Sequence, residues 1–322
     1  MKYIDMHCDT ILKLRKDKEK GLRDNDLHLD LLKMRKSNYM LQCFAMFTMF
    51  DRENSHEVCL EMIDRFYQEL EKNKDLILPV LNYQDIINNE KNKKMSAMLT
   101  IEEGGATLCK LEHLRNFYRL GVRMITLTWN FQNGIGFPNK FIKEGEKITT
   151  IPDTENGLTE FGIEMVKEME RLGMIIDVSH LSDKGFYDVL KHTTKPFVAS
   201  HSNARNVCSH TRNMTDDMIL KLAARGGVMG MNYCGAFVDG ETKVSTVKGI
   251  VKHIDYIVKL AGIDVMGLGS DFDGIEKEIE IKDASFMYLL YEELKQNGYS
   301  EVDIEKIMFR NVLRVFKEVL SK

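Results

Sequence analysis

The sequence predicts an α/β protein: a closed (β/α)8 barrel of the TIM type with extra helices at its C-terminal end. Three observations carry that prediction. About eight short apolar runs alternate with segments of helical periodicity, and such alternation implies a parallel sheet that eight repeats close on itself. Several runs stop at residues with metal-ligand or acid–base chemistry, as the C-terminal rim of such a barrel would. No composition shift, internal repeat or low-complexity segment divides the chain, so residues 1–322 read as one domain.

Tyr3-Ile4 opens the first strand, which runs into Met6-His7-Cys8-Asp9. Alternate residues of an extended strand share a face, so His7 and Asp9 point one way and Cys8 the other. Residues 10–39 are polar and read as loop plus a short helix, followed by a strand over 39–47. Val58, Met62, Phe66 and Leu70 give 55–73 helical spacing. The apolar run 96–101 closes on Glu102-Glu103-Gly104-Gly105, and a helix near 107–120 leads to a strand over 122–128. The Gly-, Asn- and Pro-containing stretch 129–157 is too long for a routine connector and is expected to wall the barrel mouth. Helix 159–172 then feeds strand 173–180, helix 182–192 feeds 196–201, helix 215–225 feeds 228–233, and helix 246–262 feeds 265–271. Amphipathic helices over 283–297 and 301–319 finish the chain.

Composition narrows the function classes. The hydrophobic and charged fractions, 43% and 29%, are those of an ordinary globular protein. A net charge of −4 without an Arg-rich block argues against nucleic acid as the main partner. No run reaches the roughly 18 apolar residues of a membrane span, and Asp5 and His7 fall where a signal peptide would need apolar residues. The six cysteines are scattered without CxxC spacing and read as reduced thiols, so a cytoplasmic protein is expected.

The predicted strand ends carry His7 and Asp9, Glu103, Thr128, His180, His201, Asn232 and Asp271. Nine histidines in 322 residues would rarely place three at these ends by accident. Imidazoles, a His-x-Asp pair and further carboxylates are too many ligands for one tetrahedral zinc. They suit two divalent ions about 3.5–4 Å apart, which lower the pKa of a shared water from 15.7 toward about 7. Two such ions bring four positive charges, and Asp9, Glu103, Asp271 and a hydroxide would balance them. The reaction class that follows is metal-assisted hydrolysis.

Asp5-Met-His7-Cys-Asp9, Glu103-Gly-Gly, Ile176-Asp-Val-Ser-His180, Ser200-His-Ser202, Arg212-Asn213 with Asp216-Asp217, and Gly269-Ser-Asp271-Phe-Asp-Gly274 follow one another along the chain. In that order they resemble the membrane (renal) dipeptidase family of metallopeptidases, from Asp5 to the segment beginning at Asn311. The resemblance implies a binuclear zinc centre, other divalent transition metals being alternatives, that hydrolyses dipeptides with free ends. It implies that His7 and Asp9 hold one ion, His180 and His201 the other, and that Glu103 bridges them. Asp271 would handle the proton of the attacking water and receive the substrate amine. Arg212 would clamp the substrate carboxylate with its fork of donors. The resemblance also implies a homodimer.

One position departs from the family pattern. Where members such as the mammalian enzyme carry a histidine after Leu-Thr, this chain has Trp129 followed by Asn130, so these two are the donors expected beside the substrate. Two other readings keep the metal centre: a deacylase of the related amidohydrolase type, or a metal-binding or sensing barrel weakened in catalysis at Trp129. Bridging by a carboxylated lysine, common among the deacylases, is disfavoured by a glutamate in that place.

Several residues have rivals or plainer readings. Alternation lets only one of Glu102 and Glu103 face the axis, and the Gly-Gly match with the family selects Glu103. Asp271 is preferred to Asp273, two residues on and potentially on the same face. His28-x-Asp30 repeats the opening motif after a polar segment, which favours a structural or capping role. His56, His113, His192 and His253 fall on or beside helices and are expected to be solvated.

Overall fold

The computed structural model describes residues 1–49, 54–144, 147–276 and 279–320. In chain order its strands are β1 (Tyr3–Asp5), β2 (Tyr39–Phe47), β3 (Ile77–Pro79), β4 (Met95–Glu102), β5 (Val122–Thr126), β6 (Lys140–Glu144), β7 (Lys147–Ile151), β8 (Ile175–Asp177), β9 (Val198–Ala199), β10 (Val228–Met231) and β11 (Met266–Leu268). Eight of them form the expected barrel. All pairings run parallel around the ring β1-β2-β4-β5-β8-β9-β10-β11, and β11 returns to β1 with Asp5 opposite Leu268. The β2–β4 pairing closes the cylinder from Leu41 opposite Ser96 to Phe47 opposite Glu102.

Two elements were not expected. Strand β3 adds to the first residues of β4, Met95 to Ala97, before β5 takes over as neighbour from Leu99 onward. The stretch 129–157 holds an antiparallel hairpin of β6 and β7, with Phe141 opposite Thr150; residues 145 and 146 of that stretch lie outside the described residues.

Strands buried on both faces sort their side chains by period 2. In β4, Ala97, Leu99 and Ile101 pack outward under the helices, while Met98 joins a separate inner cluster. That inner cluster also holds Leu41, Cys43, Met124, Ile175, Val198 and Val228, and Val312, Val315, Phe316 and Val319 of the helix Asn311–Val319 pack into it. With the N-terminal end of the barrel filled by that helix, polar groups collect at the other end.

Local capping follows the sequence. Asp30 caps the helix Leu31–Lys36 by accepting from the Lys33 N–H, as expected for a structural His28-x-Asp30. His253 departs from expectation: it is fully buried, its Nδ1 accepting from Ala204 N and its Nε2 facing Val238 O at 3.0 Å. The helix Val247–Ala261 turns that position inward, alongside the buried Ile250 and Ile254.

Candidate active site

The C-terminal rim opens into a cleft of about 580 Å³, lined on its polar side by Asp9, Glu102, Asn130, His180 and Asp271. A second cavity, about 520 Å³, lies at the opposite end of the barrel among Lys2, Arg35, Asn38 and Lys94. It holds none of the candidate ligands, so size alone does not choose between them.

His7 and Asp9 stand side by side just past β1, with His7 Nε2 3.7 Å from Asp9 Oδ2, while Cys8 packs outward. His7 also lies 3.1 Å from Glu102 Oε2 and 3.9 Å from Asp271 Oδ1. From the far side, His180 Nε2 approaches Glu102 Oε1 at 3.1 Å and His201 Nε2 approaches it at 3.6 Å. The structure therefore brings together five expected residues: His7, Asp9, His180, His201 and Asp271.

Glu103 is a correction. It follows the end of β4, and its carboxylate turns back to accept from Gly105 N and Asn133 Nδ2 while capping the short helix Gly104–Thr107. Glu102, the last residue of β4, occupies the place expected for Glu103. The period of the strand decides it, because Glu102 is in phase with Thr100 and the inward Met98. That phase was available in the sequence, and the Gly-Gly match outweighed it.

The histidines are oriented from behind. His180 Nδ1 lies 2.8 Å from Asn130 Oδ1, an acceptor only, so that nitrogen carries the proton. Ser200 Oγ donates to Asp177 Oδ2 at 2.5 Å and so accepts from His201 Nδ1 at 2.7 Å. Both Nε2 atoms are thereby left as lone pairs, 2.9 Å apart, where they cannot bond each other. Asp177 also takes Thr126 Oγ1, Ser179 N and Ser200 N. On the other side Asp5 ties down the backbone, accepting from Ser270 N, Ser270 Oγ and His7 N. Neither buried carboxylate was singled out from the sequence.

Electrostatics separates the acids. Burial raises Asp271 to about 7, with Asp9 and Glu102 adding to the rise against His7 and the Asn232 amide. Burial opposes ionisation of Glu102 too, but His7 and His180 outweigh it and hold that carboxyl well below its ordinary range. Burial, with Arg212 nearby, pushes His180 down to about 4, and burial next to His7 and Arg212 drives His201 down as well. Neutral imidazoles with outward lone pairs are what a metal requires. Buried His7 Nε2, Asp9 Oδ1 and Glu102 Oε1 make no hydrogen bond among the described residues. His7, Glu102 and His201 on one hand, and His7, Asp9 and Asp271 on the other, each bring ligand atoms within 4.8 Å of one another. The donor set fits divalent metal ions.

Around this core, Asn232 Nδ2 holds Asp271 Oδ2 at 2.9 Å, while Asp273 is engaged elsewhere by Thr10 and His28. His180 and Asp271 both sit at positive φ, +68° and +63°, a conformation that costs L-residues free energy and recurs at functional sites. The guanidinium of Arg212 is buried, donating to His201 O at 3.0 Å and lying 5.5 Å from the Phe237 ring. Its Nε has no hydrogen-bond partner among the described residues. Trp129 stands edge-on to Phe47 and Phe131 and 6.0 Å from the His180 ring, forming one wall of the cleft.

Comparison with known proteins shows the family and supports the fold. Residues 1–321 match the membrane dipeptidase family, peptidase family M19. An uncharacterised dipeptidase of Schizosaccharomyces pombe is 32% identical over 318 residues, 94% of this chain and 74% of that protein. The crystal structure of dipeptidase AC, a family M19 metallopeptidase, superposes with a TM-score of 0.92 at 26% identity, covering 100% of this chain and 99% of that one. A metallopeptidase of Rhodobacter sphaeroides, crystallised with a phosphinate mimic of L-Ala-D-Ala, gives 0.90 at 25% identity over 99% of both chains. Among the described residues no helix is long and apolar enough to cross a membrane.

Proposed function

The chain belongs to the membrane dipeptidase family, and from that premise we propose that it hydrolyses dipeptides with free ends at a centre of two divalent ions, zinc foremost. His7 and Asp9 would hold one ion, His180 and His201 the other, and Glu102 would bridge them. One observation carries the proposal: a single buried carboxylate turns Oε2 to His7 and Oε1 to both His180 and His201. When bound, such ions supply Lewis acidity and lower the pKa of water from 15.7 toward about 7.

The chain's own groups supply the rest. Arg212, its Nε unpaired and its other nitrogens tied to His201 O and Ser202 Oγ, offers a rigid cation to the substrate's terminal carboxylate. Asp271 is fixed by Asn232 through Oδ2, which leaves Oδ1 facing His7. Raised to about 7, its carboxyl can take a proton from the attacking water and pass it to the leaving amine near neutral pH. Asn130 keeps His180 in the Nδ1–H form, and Trp129 shields that side from solvent.

Metal analysis combined with a dipeptide-hydrolysis assay tests the reading. Two ions per chain with turnover of simple dipeptides is the expected result. Two ions with no turnover of any dipeptide would favour the sensing barrel, and turnover confined to N-acyl amino acids would favour the deacylase.

A further inference from the structure

The helix Thr10–Lys16 begins directly after Asp9, and its Leu12, Lys13 and Lys16 line the cleft. Lys13 and Lys16 are three residues apart and share one helix face. Arg15 between them pairs with Glu61 at 2.9 Å, away from the cleft. Neither lysine side chain makes an ion pair or hydrogen bond among the described residues, although acids surround the site.

Each of those acids is engaged. Asp273 accepts from Thr10 Oγ1 and His28 N. Glu276 lies toward Cys234, 4.0 Å from its sulfur. Asp9, Glu102 and Asp271 belong to the candidate metal centre. Two ammonium groups thus line the cleft without a direct ion-pair partner, Asp273 acting on Lys13 only through space. They share its rim with Asp9 and with the loop from Asp271 to Ile275, the end at which Asp271 would receive the substrate amine on the dipeptidase reading. The terminal carboxylate is already assigned to Arg212, so a second anionic group on the substrate is what these lysines would meet.

We propose that Lys13 and Lys16 select dipeptides whose N-terminal residue carries an acidic side chain, an inference that rests on the dipeptidase reading above. Lysines in the last turn of a helix also complement its dipole. That accounts for their charge, but it predicts no effect on substrate choice.

The test compares kcat/KM for Glu-Ala, Ala-Ala, Lys-Ala and Ala-Glu with the metal-loaded full chain. Glu-Ala is expected to exceed Ala-Ala by about fivefold or more, the upper range for partly exposed charge pairs. Ala-Glu should gain less, and the preference should shrink as salt screens the lysines. The K13M/K16M variant should bring the Glu-Ala to Ala-Ala ratio to about one, and K13E/K16E should turn the preference toward Lys-Ala. Turnover of Ala-Ala with a Glu-Ala ratio at or below one overturns this inference alone. A preference that survives in K13M/K16M also overturns it. Absence of turnover on every dipeptide overturns the dipeptidase reading and takes this inference with it.

Discussion

Glu102 and His180 meet at 3.1 Å across the barrel mouth, one at the end of β4 and the other just past β8. The other oxygen of the same carboxylate stands 3.1 Å from His7. Because Thr126 of β5 lies between these strands in the ring, the contact depends on the curvature of the barrel, which tilts its rim residues inward. Metal affinity and folding of the rim are therefore linked.

Replacing the two adjacent glutamates separates site from scaffold. Glu102→Gln removes the charge shared between the histidines and is expected to lower metal content sharply. Glu103→Gln keeps the metals and weakens the bonds to Gly105 N and Asn133 Nδ2, with a loss of about 1–3 kcal/mol in stability. Metal analysis and urea unfolding of both variants check this; metal loss in the Glu103 variant alone would reverse the assignment.

Asp271→Asn preserves shape but cannot carry a proton. Metal content is expected to stay near that of the parent, while kcat falls by about 10²–10⁴. The pH–rate profile supplies a second readout. Asp271 must be ionised to accept the proton, so in the parent the acidic limb should reflect its raised pKa, with activity lost as pH falls. That limb should vanish in the residual activity of the variant. Loss of metal instead would show that Asp271 serves chiefly as a ligand.

Ser200 and Asp177 touch no solvent, yet they set which nitrogen of His201 carries its proton. Removing such outer partners typically costs 10–100-fold in metal affinity. Ser200→Ala is expected to weaken metal binding within that range, measured by competition with a chelator. Ser200→Thr, which keeps the hydroxyl, should restore most of it. Equal losses in both variants would point to packing instead of orientation.

The barrel was legible because burial on both faces makes parallel strands read as apolar runs, as 39–47 and 96–101 do. His7, Asp9, His180, His201 and Asp271 were legible because each falls at or just beyond the end of such a run. The carboxylate that faces the three histidines is Glu102, one residue before the expected Glu103: with two glutamates side by side, the motif points to one and the phase shared by Met98, Thr100 and Glu102 to the other. Asp5 and Asp177 escaped notice because a buried carboxylate inside an apolar run announces nothing until its serine partners arrive from β9 and β11. The hairpin of β6 and β7 was hidden for another reason: its strands carry lysine and threonine in place of an apolar run.

His253 offers a stability test away from the metal centre. Its Nδ1 accepts from Ala204 N, so Nε2 must carry the proton and donate to Val238 O. Burial, with Lys252 adding to it, lowers this histidine to about 4 against the Val238 bond. Between pH 6.5 and 4 the unfolded chain binds a proton there and the folded chain does not, so stability rises with pH across that window. The contribution is fully present above pH 6.5 and falls away as pH drops toward 4, about 3 kcal/mol in all. Glutamine can accept from Ala204 and donate to Val238 without titrating. In chelator-treated protein, the parent should therefore lose more stability than His253→Gln between pH 7 and pH 4.5 by urea unfolding. Parallel losses in the two proteins would mean that His253 is protonated in the folded state and that its Ala204 bond breaks without consequence.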